Sequence, residues 1–144
     1  MAINALSKLA AEVSDIPLKN MDGSAMLDDA AAPVTATVFG PASKIWQVAD
    51  AAKRRKAMRR VRENNNKLEA ASDDAEDVIE FLCAVTKRFN GIEIADVADQ
   101  VRAIYTEPGL GYIRDHMEAD TRNWENFTKA SSTRSASTPV SSPG

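Results

Sequence analysis

The stretch Pro33-Val34-Thr35-Ala36-Thr37-Val38-Phe39-Gly40-Pro41-Ala42-Ser43-Lys44-Ile45-Trp46-Gln47-Val48-Ala49 changes its period half-way along, and that change sets the fold class. Up to Phe39, Val34, Ala36 and Val38 alternate with Thr35, Thr37 and Phe39, the period of two that places alternate side chains on opposite faces of a strand. Beyond Gly40-Pro41 the pattern turns helical. Proline near the start and Ser43 at the cap position suit a helix entry, and Ile45, Val48, Ala49, Ala52, Met58 and Val61 supply an apolar side. Three poor helix formers in a row, Asn64-Asn65-Asn66, are expected to end it.

Working outward, residues 1–13 carry Ile3, Leu6, Leu9, Ala10 and Val13 at helical spacing, which predicts a short amphipathic segment over 1–14 rather than a signal peptide. Met21-Asp22-Gly23-Ser24 holds a strong Asp-Gly turn signal, and the predicted strand is expected to pair with 16–21 or 25–27. On the other side, Ser72-Asp73-Asp74-Ala75 opens a second helix, with Ser72 as its cap and acids at its positive end. Its apolar stripe is Val78, Phe81, Leu82, Val85 and Phe89, closed by Asn90-Gly91 in a left-handed cap. A third helix sets Ile94, Val97, Val101, Ile104 and Tyr105 on one side. Thr106-Glu107-Pro108 breaks it and starts a fourth, with Leu110, Ile113 and Met117, running toward Trp124. After Phe127 the composition shifts to Ser, Thr, Ala and Pro, and 129–144 reads as a disordered tail. The expected fold is therefore α+β. A small β hairpin or ribbon (15–39) packs on a bundle of about four helices (41–127), forming one domain over 15–128.

The 144 residues suit one domain, and with 6% aromatic content its core is expected to be thin. A lone cysteine, Cys83, on a predicted buried helix face cannot form an intramolecular disulfide, which points to a reduced, cytosolic setting. No apolar run approaches the roughly 18 residues of a membrane span. Groups for chemistry are scarce: one histidine, His116, and one cysteine leave a zinc cluster or a Cys-His pair without ligands or partners. Gly109-Leu110-Gly111 lacks the Lys-Ser/Thr of a phosphate loop and reads as a helix-entry turn, and Asp22, Asp28 and Asp29 lack calcium-loop spacing. No catalytic, metal or cofactor site is expected, and the chain reads as a non-enzyme.

Charge is uneven. The net value of −3 hides seven cations between Lys53 and Arg62, followed by the acidic block Asp73, Asp74, Glu76, Asp77 and Glu80. At 3.6 residues per turn the basic set wraps most of its helix, so part of it must face solvent, a partner or the acids. Candidate partner-contact residues are Arg54, Arg55, Arg59 and Arg60 from this run, with Tyr112, Trp124 and Phe127 from the C-terminal aromatic set. Trp46 is expected to pack on the strand ribbon.

The order of certain pieces resembles the tail assembly chaperones of long-tailed bacteriophages. They are Phe39-Gly40-Pro41-Ala42-Ser43-Lys44-Ile45-Trp46-Gln47-Val48-Ala49, Phe89-Asn90-Gly91, Tyr105-Thr106-Glu107-Pro108-Gly109-Leu110-Gly111-Tyr112-Ile113 and Trp124-Glu125-Asn126-Phe127. The resemblance spans roughly 15–130 and lies in order and spacing. It implies a non-catalytic protein of the host cytoplasm that binds the tape measure protein, keeps its apolar helices soluble, recruits tail tube subunits and leaves the finished tail. Self-association is a further partner to consider. It also implies a longer form made by ribosomal frameshifting near the Ser/Thr/Pro tail. Two other classes stand beside it: a minor tail or head-to-tail connector protein of the virion, and a nucleic-acid-binding regulator using 53–62, which the overall acidity and the absence of interleaved aromatics disfavour.

The run Ser131-Ser132-Thr133-Arg134-Ser135-Ala136-Ser137-Thr138-Pro139 cannot bury enough apolar surface to offset its ordering entropy. Truncation at Lys129 is therefore expected to leave the melting temperature nearly unchanged in a calorimetric scan. A drop of many degrees would show that the tail docks on the body.

Overall fold

The computed structural model describes residues 1–68 and 74–128. The fold is α+β, a three-stranded antiparallel sheet with four α-helices. In chain order these are β1 (Val13–Pro17), β2 (Thr35–Phe39), α1 (Lys44–Glu63), α2 (Ala75–Val85), β3 (Thr86–Asn90), α3 (Gln100–Thr106) and α4 (Gly111–Asp120). Short 3-10 turns lie at Ala5–Lys8, Pro108–Leu110 and Trp124–Phe127. The proposed cap Ser72 and the tail 129–144 fall outside the described residues.

The sheet order is β1-β2-β3, with β2 central. Val13 opposes Phe39 and Pro17 opposes Thr35 in one ladder, while Thr35 opposes Asn90 and Ala36 opposes Phe89 in the other. The partner of β2 is thus 13–17, which overlaps the expected 16–21 at Ile16 and Pro17. Residues 25–27 contribute only isolated bridges, Lys19 to Ala25 and Leu27 to Pro33. Between them Asp22 accepts hydrogen bonds from the amide and hydroxyl of Ser24 at 2.9 and 2.6 Å, holding the expected turn. Those bonds draw the Asp22 carboxyl below its usual pKa.

The third strand corrects the sequence reading, which assigned Phe89 to the second helix and Asn90-Gly91 to its cap. The α2 helix ends at Val85; Thr86 still donates its amide to Leu82 but is already extended, with ψ 119°. The far edge of β2 needs partners for its N–H and C=O groups, and 86–90 fills it in spite of the helical spacing from Val85 to Phe89. Gly91, at φ +88°, ends this strand. Asn90 donates to both Thr35 and Thr37 Oγ1 at 2.9 Å, and Thr37 in turn donates to Asp15, so one polar ladder ties the three strands.

Other elements are shorter than expected. Residues 1–13 form no α-helix: only a 3-10 turn at Ala5–Lys8 is present, Ile3, Leu6 and Leu9 are exposed, and Val13 belongs to β1. A dozen residues without a docking surface cannot sustain a helix. The third helix begins only at Gln100, because that side chain binds the preceding loop, accepting from Ile94 N and donating to Ile94 O and Val97 O. The fourth stops at Asp120, and Trp124 lies in a separate turn capped by Asn123.

The core lies between the Ile16, Val34, Ala36 and Val38 face of the sheet and the helices. Its centre is α2, where Phe81 is 2% exposed and Leu82 and Val85 are fully buried. Ile104, Tyr105, Ile113 and Met117 complete it from α3 and α4. The Tyr105 hydroxyl pairs with Thr86 Oγ1 at 2.8 Å and its ring meets Phe89 edge-on. Burial pushes the ionisation of this phenol well above its usual range.

The two ends of the domain meet at Gly40. Its amide bonds to Glu12 O at 2.8 Å, while Ala11 N bonds to Phe127 O at 2.7 Å. A Cβ at Gly40 would lie 2.7 Å from Phe127 Cγ, inside a ring that is fully buried. Gly40→Ala is therefore expected to cost about 1–3 kcal/mol through overpacking, read as a lower urea midpoint. Adding Phe127→Leu should recover part of the loss, since it removes the ring the methyl strikes; strict additivity of the two changes would show that they do not touch.

Candidate interaction face on the first helix

Local chemistry fixes both ends of α1. Ser43 Oγ accepts from Trp46 N at 3.1 Å and its hydroxyl donates to Gly40 O at 2.8 Å. At the other end Asn64 N bonds to Arg60 O and Asn66 N to Val61 O, with Asn65 and Asn66 in the left-handed region. Both ends fall where the sequence places them, and Arg60 and Arg62 in the last turn suit its negative end.

The face that α1 turns inward is only partly apolar: Val61 is buried and Trp46 and Ala49 pack on the core, as the apolar spacing of Ala49 and Val61 led one to expect, but charged side chains fill the rest. Trp46 meets Phe81 of α2 edge-on, with centroids 5.7 Å apart, and Arg122 lies over both rings at 5.4 and 5.0 Å. The ring contact of Trp46 is thus with α2, where the strand ribbon was expected. Below it Lys53 reaches Glu118 at 3.7 Å, Lys56 pairs with Glu80 and Arg60 with Asp77. The apolar stems of these long side chains lie over α2 while their charged heads find carboxylates, so the seam is amphipathic within each residue. Asp77 keeps only 11% of its side chain exposed, which makes its guanidinium partner necessary.

The opposite face is correspondingly open. Ile45, Val48 and Met58, read from the sequence as inward, are 44%, 55% and 53% exposed. Periodicity misplaced them because apolar and basic residues alternate around the whole helix. Arg54, Arg55, Met58, Arg59 and Arg62 surround Ala51 in a shallow depression of about 450 Å³. Arg54 pairs with Asp50 at 3.2 Å, whereas among the described residues Arg55, Arg59 and Arg62 make no ion pair.

The candidate contact residues therefore divide. Arg54, Arg55 and Arg59 share the outward face, while Arg60 belongs to the seam. Phe127 is a core side chain, fully buried against Gly40, and leaves the contact set. Tyr112 is half-buried on α4, edge-on to His116 at 6.3 Å, and Trp124 is 57% exposed on its own turn. Among the described residues no ring or cation contact joins either of them to Arg54, Arg55 or Arg59.

A larger groove of about 1040 Å³ runs between the 26–30 loop, the end of β3 and the start of α3, lined by both acids and bases. Among the described residues no His, Cys, Asp and Glu cluster is arranged to hold a metal, and no helix is long and apolar enough to cross a membrane. Burial raises the pKa of the half-buried Cys83 thiol, which lowers its reactivity. Comparison with protein-family models, curated proteins and solved structures found no match.

The division of the arginines is measurable. Arg60→Ala should cost about 1–3 kcal/mol by leaving the Asp77 carboxylate without its partner, whereas Arg59→Ala should stay within about 0.5 kcal/mol. Denaturant midpoints of the two variants check this; equal losses would mean that α1 is rotated from its position here.

Proposed function

We propose that this chain is a tail assembly chaperone of a long-tailed bacteriophage. It is a non-catalytic protein that binds the tape measure protein, recruits tail tube subunits in the host cytoplasm and leaves the completed tail. The observation that carries the reading is the mutual contact of the sequence pieces behind the resemblance. Phe127 of the Trp-x-Asn-Phe end lies on Gly40 of the hinge, and Phe89 of Phe-Asn-Gly meets Tyr105 of the Tyr-x-Glu-Pro segment. Pieces far apart in sequence thus serve one core, which gives a physical reason for their order and spacing to be characteristic.

The outward face of α1 is the surface on which such a holdase would take its client. Exposed apolar side chains shield client apolar surface, and the arginines speed encounter and fix register. A nucleic-acid-binding role draws on the same arginines, but Met58 among them and Ile45 and Val48 beside them offer a phosphate backbone nothing.

Co-expression with the tape measure protein encoded beside it tests the reading. The expected outcome is a soluble complex where the tape measure protein alone aggregates, and absence of the chain from purified particles by mass spectrometry. No gain in solubility would remove the proposal. Stoichiometric retention in particles would make the chain a connector or minor tail protein instead.

A further inference from the structure

The outward face of α1 has two zones along its length. At 100° per residue, Ile45, Val48, Ala51, Ala52, Arg55, Met58, Arg59 and Arg62 fall within one side of the helix. The N-terminal half of that side is apolar, with Ile45 and Val48 half-exposed, and the C-terminal half is basic around Met58. From Val48 to Arg62 the surface extends roughly 21 Å at 1.5 Å per residue.

We infer that this face docks an acidic amphipathic helix of a partner protein, antiparallel to α1, whose first turns carry the carboxylates and whose later turns are apolar. As the client surface of the chaperone proposed above, it rests on that reading for the partner's identity. Charge complementarity selects the partner's chemistry: among the described residues Arg55, Arg59 and Arg62 make no ion pair within the chain, and the adjoining apolar zone has no cover. The direction follows from the zones. Carboxylates opposite the C-terminal half of α1 lie in the first turns of an antiparallel partner, where its own dipole stabilises them. A parallel partner would carry them at its C-terminal end, where its dipole opposes them. In the antiparallel arrangement each helix also sets its positive end beside the other's negative end.

A second copy of α1 is a poor occupant. Asp50 is the only carboxylate between 44 and 62, and it already holds Arg54 and Arg122. Two such faces would set arginines against arginines or against alkyl side chains. Duplex nucleic acid would satisfy the arginines but leave Ile45 and Val48 uncovered.

Two fluorescein-labelled peptides of about 18 residues and identical composition, long enough to hold a helix when docked, provide the test. One has glutamates in its first turns and leucines in its last; the other has the reverse order. Fluorescence anisotropy with the full chain is expected to show the acid-first peptide binding about fivefold tighter than its reverse, with affinity falling as salt rises. Arg55→Glu with Arg59→Glu should weaken it by about tenfold or more. Val48→Asp, at an exposed site that leaves the core untouched, should do the same at constant charge in the basic zone. Equal or tighter binding of the reversed peptide would overturn the orientation. An unchanged affinity in Val48→Asp, or tighter binding of a DNA duplex than of either peptide, would overturn the docking face. Solubilisation of the tape measure protein by variants that no longer bind the peptide would sink this inference and leave the chaperone reading standing. Peptide binding by a chain that solubilises no tail protein would do the reverse.

Discussion

The pairing of Arg60 with Asp77, flanked by Lys56 on Glu80 and by the stack of Arg122 on Trp46 and Phe81, fixes the rotation of α1 about its own axis. The surface chemistry of the domain follows from that rotation. A seam made of alkyl stems and partly buried ion pairs gains little from burial alone, but it is directional, because a mispaired carboxylate at Asp77 would be stranded in a poorly hydrated place. Turning α1 by one residue would break each pair at once. Ionic packing therefore serves specificity here, and its by-product is a long helix with Ile45, Val48 and Met58 left outside.

The rest of the fold holds that helix rigidly. Its first turn is anchored through Ser43 to Gly40, which is pressed on Phe127 and bonded to the segment entering β1. Its middle rests on α2, which passes without a connecting loop into β3 and so couples the helical layer to the sheet. The Asp15, Thr37 and Asn90 ladder closes the polar face of that sheet. A surface helix tied to the core at several points keeps its outward side chains in a constant arrangement, and a preorganised face loses less entropy on binding.

Features governed by neighbouring residues were legible in the sequence. Strand β2, the Ser43 cap, the Asn64 to Asn66 stop and the burial of Phe81 all follow from a few adjacent positions. Features governed by distant partners were not. Thr86 to Asn90 keeps helical spacing with α2, and only the vacant edge of β2 makes it a strand. The inward face of α1 is only partly visible to hydrophobic periodicity, because Lys53, Lys56 and Arg60 share it with Trp46, Ala49 and Val61, and the carboxylates of those cations lie on α2 and α4. Phe127 reads as an exposed terminal aromatic until the absence of a side chain at Gly40 is seen to be its socket. For the candidate site, sequence located the basic helix and named three of its outward arginines, Arg54, Arg55 and Arg59; only the packing of α1 separates them from Arg60 and adds Ile45, Val48 and Met58.

Thiol labelling tests the orientation of α1 most directly. Val48→Cys and Ala49→Cys, each in a Cys83→Ser background, place reporters one residue apart on opposite sides of the seam boundary. The expected result is that position 48, exposed, reacts near the rate of a free peptide, and that position 49, packed against the core, reacts at least about tenfold more slowly. Equal rates, or faster reaction at 49, would contradict the structure's central feature and return Ile45, Val48 and Met58 to the interior.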